Sequence, residues 1–290
     1  MVTKNKDRGL ALPAPSPAWL ILPGLLVLFF LFLWPLSQMI IRSFTDPELG
    51  LGNYQRFFTT SSAVRSLLTT MKVSLAATLI CAVIGYIYAY TMAGASTAVR
   101  RLLMAAIVLP MGINLLVRTF ALQAILRDTG VINQALMGIG LITEPLPLIR
   151  NQFAVAVGIV SMQLPFMVLP VFSTMVKIDQ NLLLAGKGLG ATPARVFFDI
   201  YFPLSLPGVL AGSLIVFVSS LGFYVVPALL GSGNDQFLSE LVFFWVRGRG
   251  QFGYGSAMGA ILLVLTLGTL LVASRFIGID KAIVQSTKGE

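Results

Sequence analysis

Histidine is absent from this 290-residue chain, and cysteine occurs once, as Cys81. The first absence removes the commonest general base and the commonest metal ligand. A single cysteine inside an apolar run closes no intrachain disulfide and reads as a small buried hydrophobe. Charge is scarce as well. Charged residues make up 11% of the chain and hydrophobic ones 57%, where soluble domains carry about 25% charged residues. A chain this poor in charge cannot cover a soluble surface, so its solvent is lipid. Acids are scarcer than bases, 11 against 20, which leaves a net charge of +9. In a soluble protein that excess would suggest nucleic acid. Here the bases lie in short segments between apolar runs, as the positive-inside rule and anionic headgroups favour, so no nucleic-acid partner is expected.

What is present is a series of apolar runs long enough to cross a bilayer. They predict an all-α membrane protein of six transmembrane helices at about 18–42, 67–93, 102–126, 152–176, 207–230 and 256–277, forming one transmembrane domain over 18–277. Residues 1–17, with Lys4, Lys6 and Arg8, read as a tail, and so do residues 278–290. The first run is too long for a signal-peptide core and is kept as a span. Pro23, Pro35, Pro165 and Pro170 lie inside spans, which bilayer helices tolerate. Residues 44–62, the basic stretch Gly94–Arg101 and residues 231–254 read as loops. Val131–Ile142 is too short to span and reads as an interfacial helix. Lys and Arg counts place both termini on the inner side, by a modest margin.

Residues 177–206 are the most informative. Asp179 is suited to cap a short helix, and Gly190 to end it in the left-handed conformation. Thr192 followed by Pro193 is a cap followed by the residue favoured at the first helical position. A second helix then places Val196, Phe197 and Ile200 on one face. Pro203 lacks the N–H to continue it, and Pro207 begins the next span. The result is an elbow whose first helix is thin at Ala185 and Gly186, a shape that suits a partner's groove. Gly186-Lys187-Gly188-Leu189-Gly190 is not a phosphate loop, since it lacks GxxxxGK[ST] and follows no strand.

The segment resembles the EAA loop of binding-protein-dependent ABC importer permeases. Leu184-Ala185-Gly186 stands at Glu-Ala-Ala; three residues lead to Gly190, nine more to Ile200, and one more to Phe202-Pro203. Leu109-Pro110 through Arg118-Thr-Phe-Ala121, Pro165 through Pro170, and Val226-Pro227 through Gly231 are similar to the spermidine/putrescine branch. The resemblance implies the type I importer permease fold and an elbow that docks as a coupling helix on an ATPase through Leu184, Ala185, Gly186, Gly190, Ala191 and Pro203. It implies two copies of that ATPase, which bind the ATP and Mg, and no cofactor in this chain. A second homologous permease, forming a heterodimer, and an extracytoplasmic substrate-binding protein complete the machine in the bacterial inner (plasma) membrane. Two departures stand out: Leu184 replaces the family glutamate and Gly186 the second alanine.

Polar residues inside spans mark a substrate path by default. Asn114, Arg118, Gln163, Phe223 and Tyr224 are the candidates. Arg118 follows Pro110, Gly112 and Asn114, where the third span is expected to break; it either lines the cavity or caps neighbouring carbonyls. Asn114, Gln163 and Tyr224 are equally suited to interhelical hydrogen bonds. Phe243, Phe244 and Trp245 suit an outer gate or an interfacial belt. No Asp or Glu lies within a predicted span. Family glutamates near the positions of Phe223 and Ala228 are replaced here by apolar residues, which leaves a polyamine and an opine or other amino-acid-like solute both open as cargo. A self-contained secondary transporter would show inverted repeats, and none is evident. A membrane enzyme lacks its catalytic groups.

Overall fold

The computed structural model describes residues 18–277, and all its regular structure is helical. The tails 1–17 and 278–290, with their lysines and arginines, lie outside the described residues. Helix α1 covers 18–45, with a π turn at Phe29–Leu33. Helix α2 is Gly52–Thr59, α3 Ser61–Gly94, and α4 Thr97–Val108, which tightens into a 3₁₀ turn at Leu109–Gly112. Helix α5 is Leu115–Leu126, α6 Val131–Gly138, α7 Gln152–Met175 and α8 Gln180–Gly188. Helix α9 is Pro193–Leu221, α10 Val225–Leu230, α11 Leu238–Phe243 and α12 Phe252–Ile277. Among the described residues, five helices are long and apolar enough to cross a membrane. A sixth crossing arises if 97–112 and 115–138, bent by 104° against each other, count as one span.

The core is built from α3, α7 and α9, which pack face to face. Glycines make the close approach possible. A methyl at Gly85 would lie 2.6 Å from Met167 Cγ, and one at Gly212 2.8 Å from Met167 Sδ. Met167 therefore fills a slot between a glycine of α3 and a glycine of α9. One turn away from Gly212, Gly208 faces Thr174 Oγ1 at 2.6 Å on the same measure. This is the small-xxx-small packing that bilayer helices use in place of a hydrophobic driving force. Cys81 is fully buried in this layer, and its Sγ lies 3.8 Å from the Val160 carbonyl. A second apolar cluster at the opposite end joins Val73, Leu126, Val155, Val226 and Phe237.

Several boundaries differ from the sequence expectation. Residues 44–62 hold α2, because Phe57 is fully buried against Tyr254 and Met258 of α12. Only Ala95 and Ser96 separate α3 from α4; Arg100 donates to the Met92, Ala93 and Ala95 carbonyls and so caps the C-terminus of α3. The fifth span begins at Pro193 rather than 207 and ends at Leu221 rather than 230. Pro203 does not end the second elbow helix. A π turn at Phe197–Tyr201 precedes it, in which the Phe202 N–H bonds to the Phe197 carbonyl, so the chain shifts register and runs on as helix through both prolines. Residues 231–254 contain α11 and a π turn at Phe244–Gly248, because Phe237, Leu238 and Leu241 are buried.

Candidate functional site

Two regions concentrate the features that chemistry needs. They lie at opposite ends of the bundle. One is the elbow; the other is a pair of breaks in the spanning helices.

The elbow is organised by local backbone chemistry. Asp179 accepts from the Asn181 N–H at 2.9 Å and Thr192 from the Arg195 N–H at 3.4 Å. Gly190 has φ +84°, and the bonds Gly190 N–H to Lys187 O and Ala191 N–H to Gly186 O close a Schellman motif. Gly186 is buried: a methyl there would meet Ile200 Cδ1 at 2.8 Å and Val196 Cγ2 at 3.4 Å. Its glycine character therefore serves contact between the two arms of the elbow. This corrects the expectation that Gly186 thins the helix toward an external groove. The outward face consists of Leu184, 62% exposed, Leu189, 90% exposed, and the exposed Ala185. Ala191 is half-buried behind the turn, and Pro203 lies exposed at the start of the long helical run after the π turn.

The arm that follows is fastened to the bundle by aromatic rings. Phe197 meets Tyr90 at 5.6 Å edge-on, and Tyr86 bonds to Ser205 at 3.0 Å. Between the elbow and the span ends lies a cleft of about 660 Å³, lined in part by Tyr90, Arg100, Met175, Lys187 and Phe197.

The first break falls at Ile113–Asn114. Asn114 is exposed, and its Oδ1 caps α5 by accepting from the Leu116 N–H at 2.8 Å. Arg118, half-buried, donates from Nη2 to the Ser161 carbonyl at 2.7 Å. Four residues on, Pro165 has no N–H to give that carbonyl. Arg118 thus satisfies an acceptor that the proline orphans, which is the capping alternative raised by the sequence. No carboxylate pairs with it among the described residues; the one ion pair found there is Arg195–Asp199, 3.7 Å and exposed. Gln163 is buried, with Nε2 at the limit of hydrogen bonding, 3.5 Å from the Val216 carbonyl. It lies between α7 and α9, as an interhelical tie.

The second break is Gly222–Tyr224. Phe223 and Tyr224 are half-buried, and the Tyr224 ring meets that of Phe243 at 4.9 Å, tilted by 39°. Helix α10 then docks on α7, where a methyl at Gly158 would lie 2.6 Å from Val226 Cγ1. Gly158 and Ser161 are three residues apart, about 4.5 Å along the helix. The two breaks therefore meet α7 at the same depth, and α5 and α10 are joined by Gln123 Nε2 donating to the Leu229 carbonyl at 3.4 Å. Of the pathway candidates, Asn114 and Arg118 lie at the first break and Phe223 and Tyr224 at the second, while Gln163 lies at neither.

Sequence reasoning passed over Glu240. It lies on α11, outside the spanning helices, half-buried, with Oε1 accepting from the Phe237 N–H at 2.9 Å. Burial pushes its carboxyl above the usual range, and that bond partly offsets the rise. Its bond to Phe237 is the glutamate half of a capping box, which a phenylalanine at the cap position hides in sequence, and its place beside the second break is set by tertiary contacts. Among the described residues no group of His, Cys, Asp and Glu has the arrangement of a metal site.

Comparison with known proteins agrees with this geometry. The family described as "Binding-protein-dependent transport system inner membrane component" matches over residues 81–288. The spermidine/putrescine transport system permease protein PotB of Haemophilus influenzae is 31% identical over 256 residues, covering 86% of this chain and 88% of that protein. The putative 2-aminoethylphosphonate transport system permease protein PhnU of Salmonella paratyphi A is 27% identical over 284 residues, covering 92% and 96%. Among solved structures, a bacterial ABC transporter involved in import of the acidic polysaccharide alginate superposes with a TM-score of 0.73 at 16% identity, covering 90% of this chain and 94% of that one.

Proposed function

The chain belongs to the binding-protein-dependent transport system inner membrane components, and from that premise we propose how its two ends divide the work. It is a multi-pass inner-membrane permease subunit of an ABC importer, with the type I fold, and it is not itself an enzyme. The elbow is the coupling element. Its exposed Leu184, Ala185 and Leu189 dock on a separate ATPase, while Gly186 and the Gly190–Ala191 turn hold the two arms together. Pro203 starts the rod that carries the motion away. Two ATPase copies hold the ATP and Mg, and a second homologous permease completes the path. An extracytoplasmic binding protein delivers cargo at the opposite end. Both termini then lie on the elbow side, the cytoplasm.

The cargo is a polyamine of the spermidine/putrescine kind. The relatives of that name over most of the chain support this. Asn114, Arg118, Phe223 and Tyr224 line the path where the spans break, since irregular backbone at membrane depth is stable only beside protein or a water-filled cavity. Gln163 braces the helices behind them. One observation favours a second reading. Arg118 has no carboxylate partner among the described residues, which suits a solute bearing an anionic group, such as an amino acid or an aminophosphonate.

The observation that carries the coupling role is the apolar face of α8, unpaired within the chain. Leu189→Asp places a charge there without touching the elbow's own packing. It is expected to abolish co-purification of the ATPase while the melting temperature of the permease stays put. Retained ATPase would overturn the docking assignment. Calorimetry of the cognate binding protein with spermidine, glutamate and 2-aminoethylphosphonate separates the two cargo readings.

A further inference from the structure

Glu240 is bound to the second break by its neighbours. Ser239 Oγ donates to the Phe223 carbonyl, and the Phe243 ring lies 4.9 Å from that of Tyr224. Within α11, Leu238 and Leu241 are buried against the rest of the bundle. The 3.6-residue period places Ser239, Glu240 and Phe243 on the other face. Glu240 and Phe243, three apart, are neighbours on that face. So a half-buried carboxylate shares a helix face with Phe243, whose ring meets that of Tyr224 where the chain is unwound.

Its charge lies in the first turn of α11, where the helix N-terminus favours it, but it has no side-chain partner among the described residues. No cation lies within ion-pair distance among the described residues. Of the nearby arginines, Arg56 lies 4.2 Å over Tyr254 and 4.9 Å over Trp245, and Arg249 5.4 Å over Phe244, while Arg247, in the π turn that follows, makes no ion pair with Glu240. One carboxylate oxygen accepts from a backbone N–H, which leaves the other to receive a donor. A partly desolvated carboxylate with aromatic faces around it is the combination that recognises an organic ammonium ion, by charge-assisted hydrogen bonding and by cation–π attraction.

We propose that Glu240, together with Tyr224 and Phe243, receives an ammonium group of a cationic cargo at the end of the path opposite the elbow. This rests on the polyamine reading above. It also supplies an acidic group of the kind absent from the predicted spans. The carboxylate comes from a short helix outside the spans and is brought to the break by the fold.

The test uses the complete importer in proteoliposomes, with its binding protein loaded with spermidine. Glu240→Gln keeps an oxygen for the Phe237 N–H and removes the charge. Its saturating uptake rate is expected to fall about 10-fold, which corresponds to about 1.4 kcal/mol in the barrier, with complex yield, melting temperature and basal ATP hydrolysis unchanged. Glu240→Asp should restore most of the rate. Paired Tyr224→Leu and Phe243→Leu changes should lower it by roughly 3-fold. Wild-type uptake by Glu240→Gln would overturn the inference and leave the polyamine reading standing. A matching drop in melting temperature would overturn it too, in favour of a capping role. No spermidine uptake by the wild-type importer would overturn the polyamine reading and this inference with it.

Discussion

At the residue scale, the positions that matter most are those whose chemistry is spent on a neighbour. Gly186 is the clearest. Its missing Cβ lets Val196 and Ile200 close on α8. Gly186→Ala asks only the end of Ile200 to yield and should cost under about 1 kcal/mol. Gly186→Leu overpacks the joint, at about 1–3 kcal/mol. In the assembled importer it should leave ATP hydrolysis in place and cut uptake at least about 10-fold, because the elbow no longer moves as one piece. Parallel hydrolysis and uptake assays on one preparation check this, and unimpaired uptake would contradict the proposed joint. Sequence spacing marked this glycine, but no pattern in one chain distinguishes a glycine that faces a partner from one that faces the next helix. The capping residues were easier to read. Asp179, Gly190 and Thr192 act on backbone within three residues, so their roles are local.

At the scale of single elements, proline behaves differently in these helices from its reading in sequence. Pro203 and Pro207 look like boundaries, yet α9 runs through both; the π turn at 197–201 sits where the Pro203 N–H is missing, and Pro207 lies within regular helix. The break at Gly222–Tyr224 was invisible for the opposite reason: the apolar run continues across it, and only the packing of Val226 on Gly158 shows that the helix has stopped. Helix α7 provides a quantitative test. Arg118→Met strands the Ser161 carbonyl and should cost about 1–3 kcal/mol. In a Pro165→Ala background the new N–H takes that carbonyl, so the same change should cost less than about 1 kcal/mol. Thermal unfolding of the four variants in one detergent measures the coupling. Equal costs in both backgrounds would show that the Arg118–Ser161 contact carries no stability.

For the whole molecule, the apolar runs made a helical bundle in lipid legible, and the elbow spacing made the importer family legible. The assembly was not. The apolar stretch of the first span from Ile21 is unburied within the chain, so its Phe30 and Phe32, 60% and 64% exposed, have little intrachain packing to lose beyond the contact of Phe30 with the Phe29 ring. Phe30→Ala with Phe32→Ala should leave the lone chain's stability within about 0.5 kcal/mol of wild type. The yield of the complex with the second permease should fall if that surface is where the subunits meet. Size-exclusion profiles of the co-expressed pair decide it, with an unchanged complex assigning the surface to lipid.

The unbroken course of α9 has a mechanical consequence. Its 29 residues form a rod of roughly 44 Å, with the elbow at one end and the break beside Glu240 at the other. Because both ends belong to one stiff body, a tilt of about 10° about its middle would displace each end by roughly 4 Å in opposite directions. That stroke is comparable to the width of an ammonium group. The same movement that draws the elbow in would open or shut the far end, with no relay of side chains in between. The π turn at Phe197–Tyr201 lies within that rod and carries it past Pro203 without a break.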